Sequence, residues 1–119
     1  MKSVLVVDDE QGYRDLYRFL LEPKGVQVTC VVNGLEALNK VKQCSYDLIL
    51  MDVHMPVMTG PEAIVLIKKI RPDQKILVFS SSSDPGYFQE DQALKNGANE
   101  CLYKPVELKV LEEVLDGLM

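Results

Sequence analysis

Two rhythms alternate along this chain. Short unbroken apolar runs give way repeatedly to stretches whose apolar residues recur every three or four positions. Val4-Leu5-Val6-Val7 is a run of the first kind, as expected of a central strand covered on both faces. Residues 11–21 follow in the second rhythm, with Tyr13, Leu16, Tyr17 and Leu20 at helical spacing, and Pro23 and Gly25 close the segment. Residues 26–32 are rich in β-branched side chains and predict a second strand. Asn33 then offers a helix cap ahead of a stripe formed by Leu35, Leu38 and Val41. Residues 47–52 predict a third strand ending in Asp52. After a loop with Pro56 and Gly60, Pro61 suits the first position of a helix whose apolar face is Ile64, Ile67 and Ile70. Residues 75–80 predict a fourth strand, and residues 86–96 a more polar helix with Gly97 as its C-terminal cap. A short fifth strand over 100–103 and a stripe of Leu108, Leu111, Leu115 and Leu118 complete the pattern.

A βα unit repeated five times predicts an α/β fold: a parallel five-stranded sheet with helices on both faces, joined by right-handed crossovers. The 119 residues fit one domain over 1–119, with no effector domain in this chain. Composition changes the picture only at its edges. A 47% hydrophobic chain can build one core. The net charge of −5 argues against direct nucleic-acid binding, which needs clustered Lys and Arg. No apolar run approaches membrane-spanning length and no leader is visible. Cys30, Cys44 and Cys101 form no C-x-x-C pair and read as reduced, mostly buried thiols. These features together predict a cytoplasmic protein.

Open α/β sheets place their sites at the carboxyl ends of the strands. The first strand ends in Asp8-Asp9-Glu10, the third in Asp52, the fourth in Ser80 and the fifth in Lys104-Pro105. Carboxylates gathered at one edge repel one another and call for a cation; an all-oxygen cluster suits Mg²⁺. A carboxylate beside Mg²⁺ can attack a phosphoryl group, with Lys104 and Ser80 neutralising and hydrogen-bonding its oxygens.

These residues carry a resemblance. Val6-Val7-Asp8-Asp9-Glu10, Asp52-Val53-His54-Met55-Pro56 with Gly60, Ser80 after an apolar strand, Gly97-Ala98, and Lys104-Pro105 stand in order along the whole chain. The sequence resembles the receiver domain of two-component response regulators, of the chemotaxis-regulator kind. The resemblance implies a doubly wound, flavodoxin-like sheet with strand order 2-1-3-4-5. It makes Asp52 the phosphoacceptor, with Asp8 and Asp9 holding Mg²⁺ and Asp9 the more direct ligand. The backbone carbonyl of His54 would join the metal, and Ser80 and Lys104 would bind the phosphoryl oxygens. A cis bond before Pro105 is implied as well. The implied donor is a phosphohistidine on a sensor kinase or histidine phosphotransfer protein. The implied output is a downstream protein met through the fourth helix, fifth strand and fifth helix, with a homodimer as one phosphorylated form. The domain would catalyse its own phosphorylation and dephosphorylation rather than act as a conventional enzyme.

Blander readings stand beside these. Asp8-Asp9 can cap a helix, and Ser80 opens a run through Ser83, so that a shift by one position stays open. His54, the only histidine, reads as a loop residue beside the site. Tyr13 and Tyr17 read as core-facing helix residues, and the segment with Tyr87 and Phe88 as a polar surface helix or part of a partner surface. Cys101 stands where the family usually has a switching aromatic residue. Tyr103 or Phe88 would then share that task, or backbone movement alone would serve. A phosphorylation-independent interaction module is the main rival. A dehalogenase-type hydrolase would need a D-x-D pair that adjacent Asp8 and Asp9 do not form, and a flavin domain would need a phosphate cradle after the first strand.

Overall fold

The parallel sheet is present, in the order β2-β1-β3-β4-β5. A computed structural model describes residues 2–53, 55, 57–81 and 92–119. The strands are β1 (Ser3–Val7), β2 (Gln27–Val31), β3 (Leu48–Asp52), β4 (Ile76–Ser81) and β5 (Glu100–Lys104). The helices are α1 (Gln11–Leu21), α2 (Gly34–Gln43), α3 (Gly60–Ile70), a helical stretch at residues 92–95 (α4), and α5 (Leu108–Leu118).

Side chains alternate across a strand, so each apolar run feeds two cores. On one face Leu5, Val7, Ile49, Met51, Ile76 and Val78 meet α2, α3 and Ala93 of α4. On the other, Val4, Val6, Leu48, Leu50, Leu77 and Phe79 meet Tyr17, Leu20 and Leu21 of α1 and Leu111 and Leu115 of α5. Burying one such side chain contributes about 1.5–3 kcal/mol, which explains why the inner strands are apolar at every position that faces a helix layer.

The helix ends follow local chemistry. Asn33 accepts a hydrogen bond from the Glu36 backbone N–H at 2.8 Å, as its position predicts. Thr59 and Glu62 form a reciprocal capping box that starts α3, with Pro61 in the first turn. A short 3₁₀ turn over Glu22–Lys24 carries Pro23 into Gly25, whose φ is +81°. Some expectations shift slightly. Leu35, Ile70 and Leu108, each at an end of its helix stripe, are exposed, and β5 extends through Lys104. Tyr87, Phe88 and Ser82 lie outside the described residues, as does most of the helix predicted over 86–96.

Gly60 sets the distance between α3 and the end of β3. A Cβ there would sit 2.8 Å from Val53 Cα and 2.9 Å from the Asp52 carbonyl oxygen. Only a glycine lets the helix start this close to the strand end that carries Asp52.

Candidate functional site

Four carboxylates meet at the carboxyl edge of the sheet. Asp8, Asp9, Glu10 and Asp52 each bring an oxygen within 4.8 Å of the others. Asp8 and Asp52 are buried, at 1% and 5% exposure, while Asp9 and Glu10 are exposed. The strands explain the convergence. β1 and β3 pair directly, with Val7 opposite Met51, so the residues just beyond them end side by side. β3 and β4 place Asp52 opposite Phe79, and the Phe79 carbonyl accepts from Val53 N–H at 2.9 Å. Ser80, the next residue, is buried at the same edge.

Lys104, the last residue of β5, enters this cluster from the far side of the sheet. Its ammonium donates to Asp8 Oδ2 at 2.9 Å and Asp52 Oδ2 at 3.3 Å, with Glu10 Oε1 at 3.5 Å. The Lys104–Pro105 peptide is cis, as the resemblance implies. The first turn of α1 closes the near side. Asp8 Oδ1 accepts from Glu10 N–H at 2.9 Å, and Arg14 donates to the Asp8 carbonyl at 2.8 Å.

Burial and neighbouring charge act on Asp8 and Lys104. Burial pushes the Asp8 carboxyl above its ordinary value; the hydrogen bonds from Lys104 and from Glu10 N–H pull it down without overcoming that effect. Burial alone would lower Lys104, but its bond to Asp8 and the charges of Asp52, Asp8 and Glu10 raise it overall. The lysine is therefore a fixed cation, and its ammonium meets three of the four clustered carboxylates: Asp8, Glu10 and Asp52. An all-oxygen donor set with uncompensated negative charge fits a hard divalent cation.

Asp8, Asp9, Asp52, Ser80 and Lys104, expected at one edge of the sheet, stand together there. His54 lies outside the described residues. Glu10, legible only as part of the acidic motif, joins the cluster through Lys104. Tyr13 packs against the core as expected, and beyond that reading the Lys104 Nζ stands 4.0 Å from its ring centroid. Tyr17 is buried as expected, and its hydroxyl has no hydrogen-bond partner among the described residues. Burial, then the charge of Asp8, hold that phenol well above its ordinary pKa. The cysteines are less buried than expected: Cys44, just past the end of α2, is exposed, and Cys30 and Cys101 are half-buried. Cys101 packs against the core, whereas Tyr103, on the same strand face, is 49% exposed.

Comparison with known proteins places this geometry. Residues 4–116 match the response regulator receiver domain family, and the chain belongs to that family. The chemotaxis protein CheY of Thermotoga maritima is 35% identical over 116 residues, covering 97% of this chain and 95% of CheY. The transcriptional regulatory protein ZraR of Klebsiella oxytoca is 36% identical over 113 residues, which span 95% of this chain but 25% of ZraR. Among solved structures, the response regulator TrrA of Thermotoga maritima, in complex with Mg²⁺-BeF, aligns with a TM-score of 0.83 at 32% identity, covering 100% of both chains. Among the described residues, no helix is long and apolar enough to cross a membrane.

Proposed function

We propose that Asp52 accepts a phosphoryl group from a phosphohistidine of a sensor kinase or histidine phosphotransfer protein, and that this event switches the protein's contacts. The observation that carries the reading is the buried Asp52 carboxylate, 3.3 Å from the Lys104 ammonium within a four-carboxylate cluster. An Asp52 oxygen bonds to phosphorus as the phosphorus–nitrogen bond of the donor breaks; the electron pair leaves with the imidazole. Lys104 shifts from the carboxylates to the phosphoryl oxygens, and Ser80 offers them a hydroxyl donor.

Asp8, Asp9 and Asp52 would hold Mg²⁺, with the carbonyl of His54 as a further ligand implied by the family. When bound, Mg²⁺ neutralises charge on the transferring group. The Mg²⁺-BeF complex of the related TrrA supports this reading. Leu94, Tyr103, Leu108 and Val110 are large exposed apolar residues on α4, β5 and α5, and they suit a downstream protein partner or a second phosphorylated copy. Three free cysteines suit the cytoplasm.

The test uses Mg²⁺ and acetyl phosphate, with intact mass as the readout. The expected result is a hydroxylamine-labile gain of one phosphoryl group that vanishes in Asp52→Asn and without Mg²⁺. An unchanged gain in Asp52→Asn, or none in the wild type, overturns the assignment.

A further inference from the structure

We infer that Tyr13 is a positioning residue for Lys104, and that its ring face holds the ammonium in place when a cation occupies the carboxylates. This rests on the reading above, in which Lys104 serves the phosphoryl group, and adds a residue that reading does not contain.

Among the described residues the ammonium has three carboxylates and one ring as neighbours. The lysine side chain is 9% exposed, so the ring contact operates where water screens it little. The carboxylates and the ring differ in one decisive respect. A divalent cation bound to Asp8 and Asp52 takes the charge that attracted the lysine and repels the ammonium directly. The quadrupole of the ring is untouched by that competition. Of these four neighbours, only Tyr13 and Glu10 stand outside the cation's ligands, and the Glu10 side chain is 60% exposed and screened by water. Without the ring, a flexible four-carbon side chain is free to swing away from the charged site.

The ring is itself held from the core. Tyr13 and Tyr17 lie one helical turn apart on α1, with ring centroids 6.1 Å apart. Tyr17, fully buried, stacks on Phe79 at 5.2 Å and 30°. Phe79 lies on β4 opposite Asp52 and immediately before Ser80. Three aromatic rings thus run from the centre of the sheet to the lysine, and the platform depends on no loop. A small or aliphatic residue at position 13 would still fill the edge of the core, but it would offer the ammonium no partner.

The proposal separates two affinities that a general packing defect would weaken together. In Tyr13→Leu, binding of beryllium fluoride in the presence of Mg²⁺ should fall about tenfold, as expected for loss of a partly desolvated cation–π contact. Mg²⁺ binding alone, measured by calorimetry, should not weaken. Tyr13→Phe keeps the ring face and should retain wild-type binding of both. In the NMR spectrum of the Mg²⁺-loaded wild type, the Lys104 ε-methylene protons should lie upfield of those of exposed lysines, through the ring current. That shift should persist in Tyr13→Phe and vanish in Tyr13→Leu. Equal beryllium fluoride affinity in wild type and Tyr13→Leu overturns the inference while leaving the phosphoacceptor reading intact. So does an equal loss in Tyr13→Phe, a parallel loss of Mg²⁺ affinity, or an unshifted Lys104 signal in the wild type. A wild type that binds no beryllium fluoride with Mg²⁺ present overturns both.

Discussion

The two ends of this sheet solve the same electrostatic problem in opposite ways. At the amino edge, cations meet neutral carbonyls. Lys68 donates to the carbonyls of Pro72 and Gln74, Lys75 to that of Leu118, and Arg71 to those of Val41 and Cys44. A cleft of about 380 Å³ lies there, lined by Tyr46, Ile70, Arg71, Pro72, Asp73 and Gln74, and none of these belongs to the acidic cluster. At the carboxyl edge, four carboxylates cluster and Lys104 meets three of them. Bonds at the first end close loops and finish a helix, and each could be lost at small cost. Bonds at the second hold buried charge that a divalent cation or a proton can balance. The difference teaches where this fold places uncompensated polarity: at the end where the strands deliver side chains rather than turns.

Replacing the lysine at each end tests that contrast most severely. Lys104→Met keeps much of the side-chain volume but takes the ammonium away from buried Asp8 and Asp52. In Mg²⁺-free buffer it should cost about 3 kcal/mol or more, read from urea unfolding. Mg²⁺ should restore part of the loss. Lys75→Met removes an exposed bond to a helix end and should cost about 1 kcal/mol or less. Similar costs for the two variants would break the comparison.

Glycines give a second contrast. Gly60→Ala pushes a Cβ onto the backbone of Val53 and Asp52, at 2.8 and 2.9 Å, where no flexible side chain can yield. A loss of about 2–3 kcal/mol is expected, together with slower phosphorylation as α3 moves off the end of β3. A methyl group at Gly117, in the last turn of α5, would meet nothing within 4 Å. Gly117→Ala should stabilise by about 0.5 kcal/mol. A neutral Gly60→Ala would show that the close approach of α3 is not required.

The same contrast explains what could be read from the residues alone. Strand order, the two-faced cores and the meeting of Asp8, Asp52, Ser80 and Lys104 follow from one rule: apolar runs end where the chemistry begins. That rule needs only periodicity and position. Tyr13 was hidden because helical spacing places it correctly on the inner face of α1 without saying what lies beyond the core's rim. Its partner ends the last strand, and no local pattern couples a ring on the first helix to a lysine so far along the chain. The capping box at Thr59 and Glu62 did have a signal, the T-x-x-E spacing, which the more conspicuous Pro61 overshadowed. The consequence of Cys101 was legible only as a missing ring: Tyr103 shares its strand face but is half exposed rather than packed beside it.

The acidity of Asp8 sharpens the comparison without any change in packing. Burial raises its pKa in the folded protein above the unfolded value of 3.8. The folded chain therefore binds a proton that the unfolded chain does not over the window between the two values. Asp8 contributes more favourably to stability as pH falls through its folded pKa, and that gain is complete below the unfolded one. Wild type should accordingly gain on Asp8→Asn as Mg²⁺-free buffer is acidified from about pH 7 to about pH 4. Urea midpoints of the two proteins across that range provide the measurement. A stability difference that stays constant, or moves the other way, would show that Lys104 compensates Asp8 fully.

A small effect is expected from backbone strain, and here too the two ends differ. Gly25 and Gly97 precede β2 and β5 at the amino edge, and they carry φ values of +81° and +122°. Glycine adopts such angles without steric penalty. At the carboxyl edge the corresponding angle falls on a β-branched residue: Val57, in the loop between Asp52 and α3, has φ +72°. Val57 is 76% exposed, so no packing offsets the conformation. Val57→Asn, which tolerates the left-handed region, should stabilise the protein by about 1 kcal/mol in urea unfolding. Val57→Gly should gain less, because glycine also loosens the unfolded chain. If Val57→Asn is neutral or destabilising, the valine is not strained in place, and the backbone contrast between the two ends disappears. If it stabilises and also changes the rate of phosphorylation by acetyl phosphate, the strain bears on the geometry around Asp52. Stabilisation with an unchanged rate would confine it to the loop.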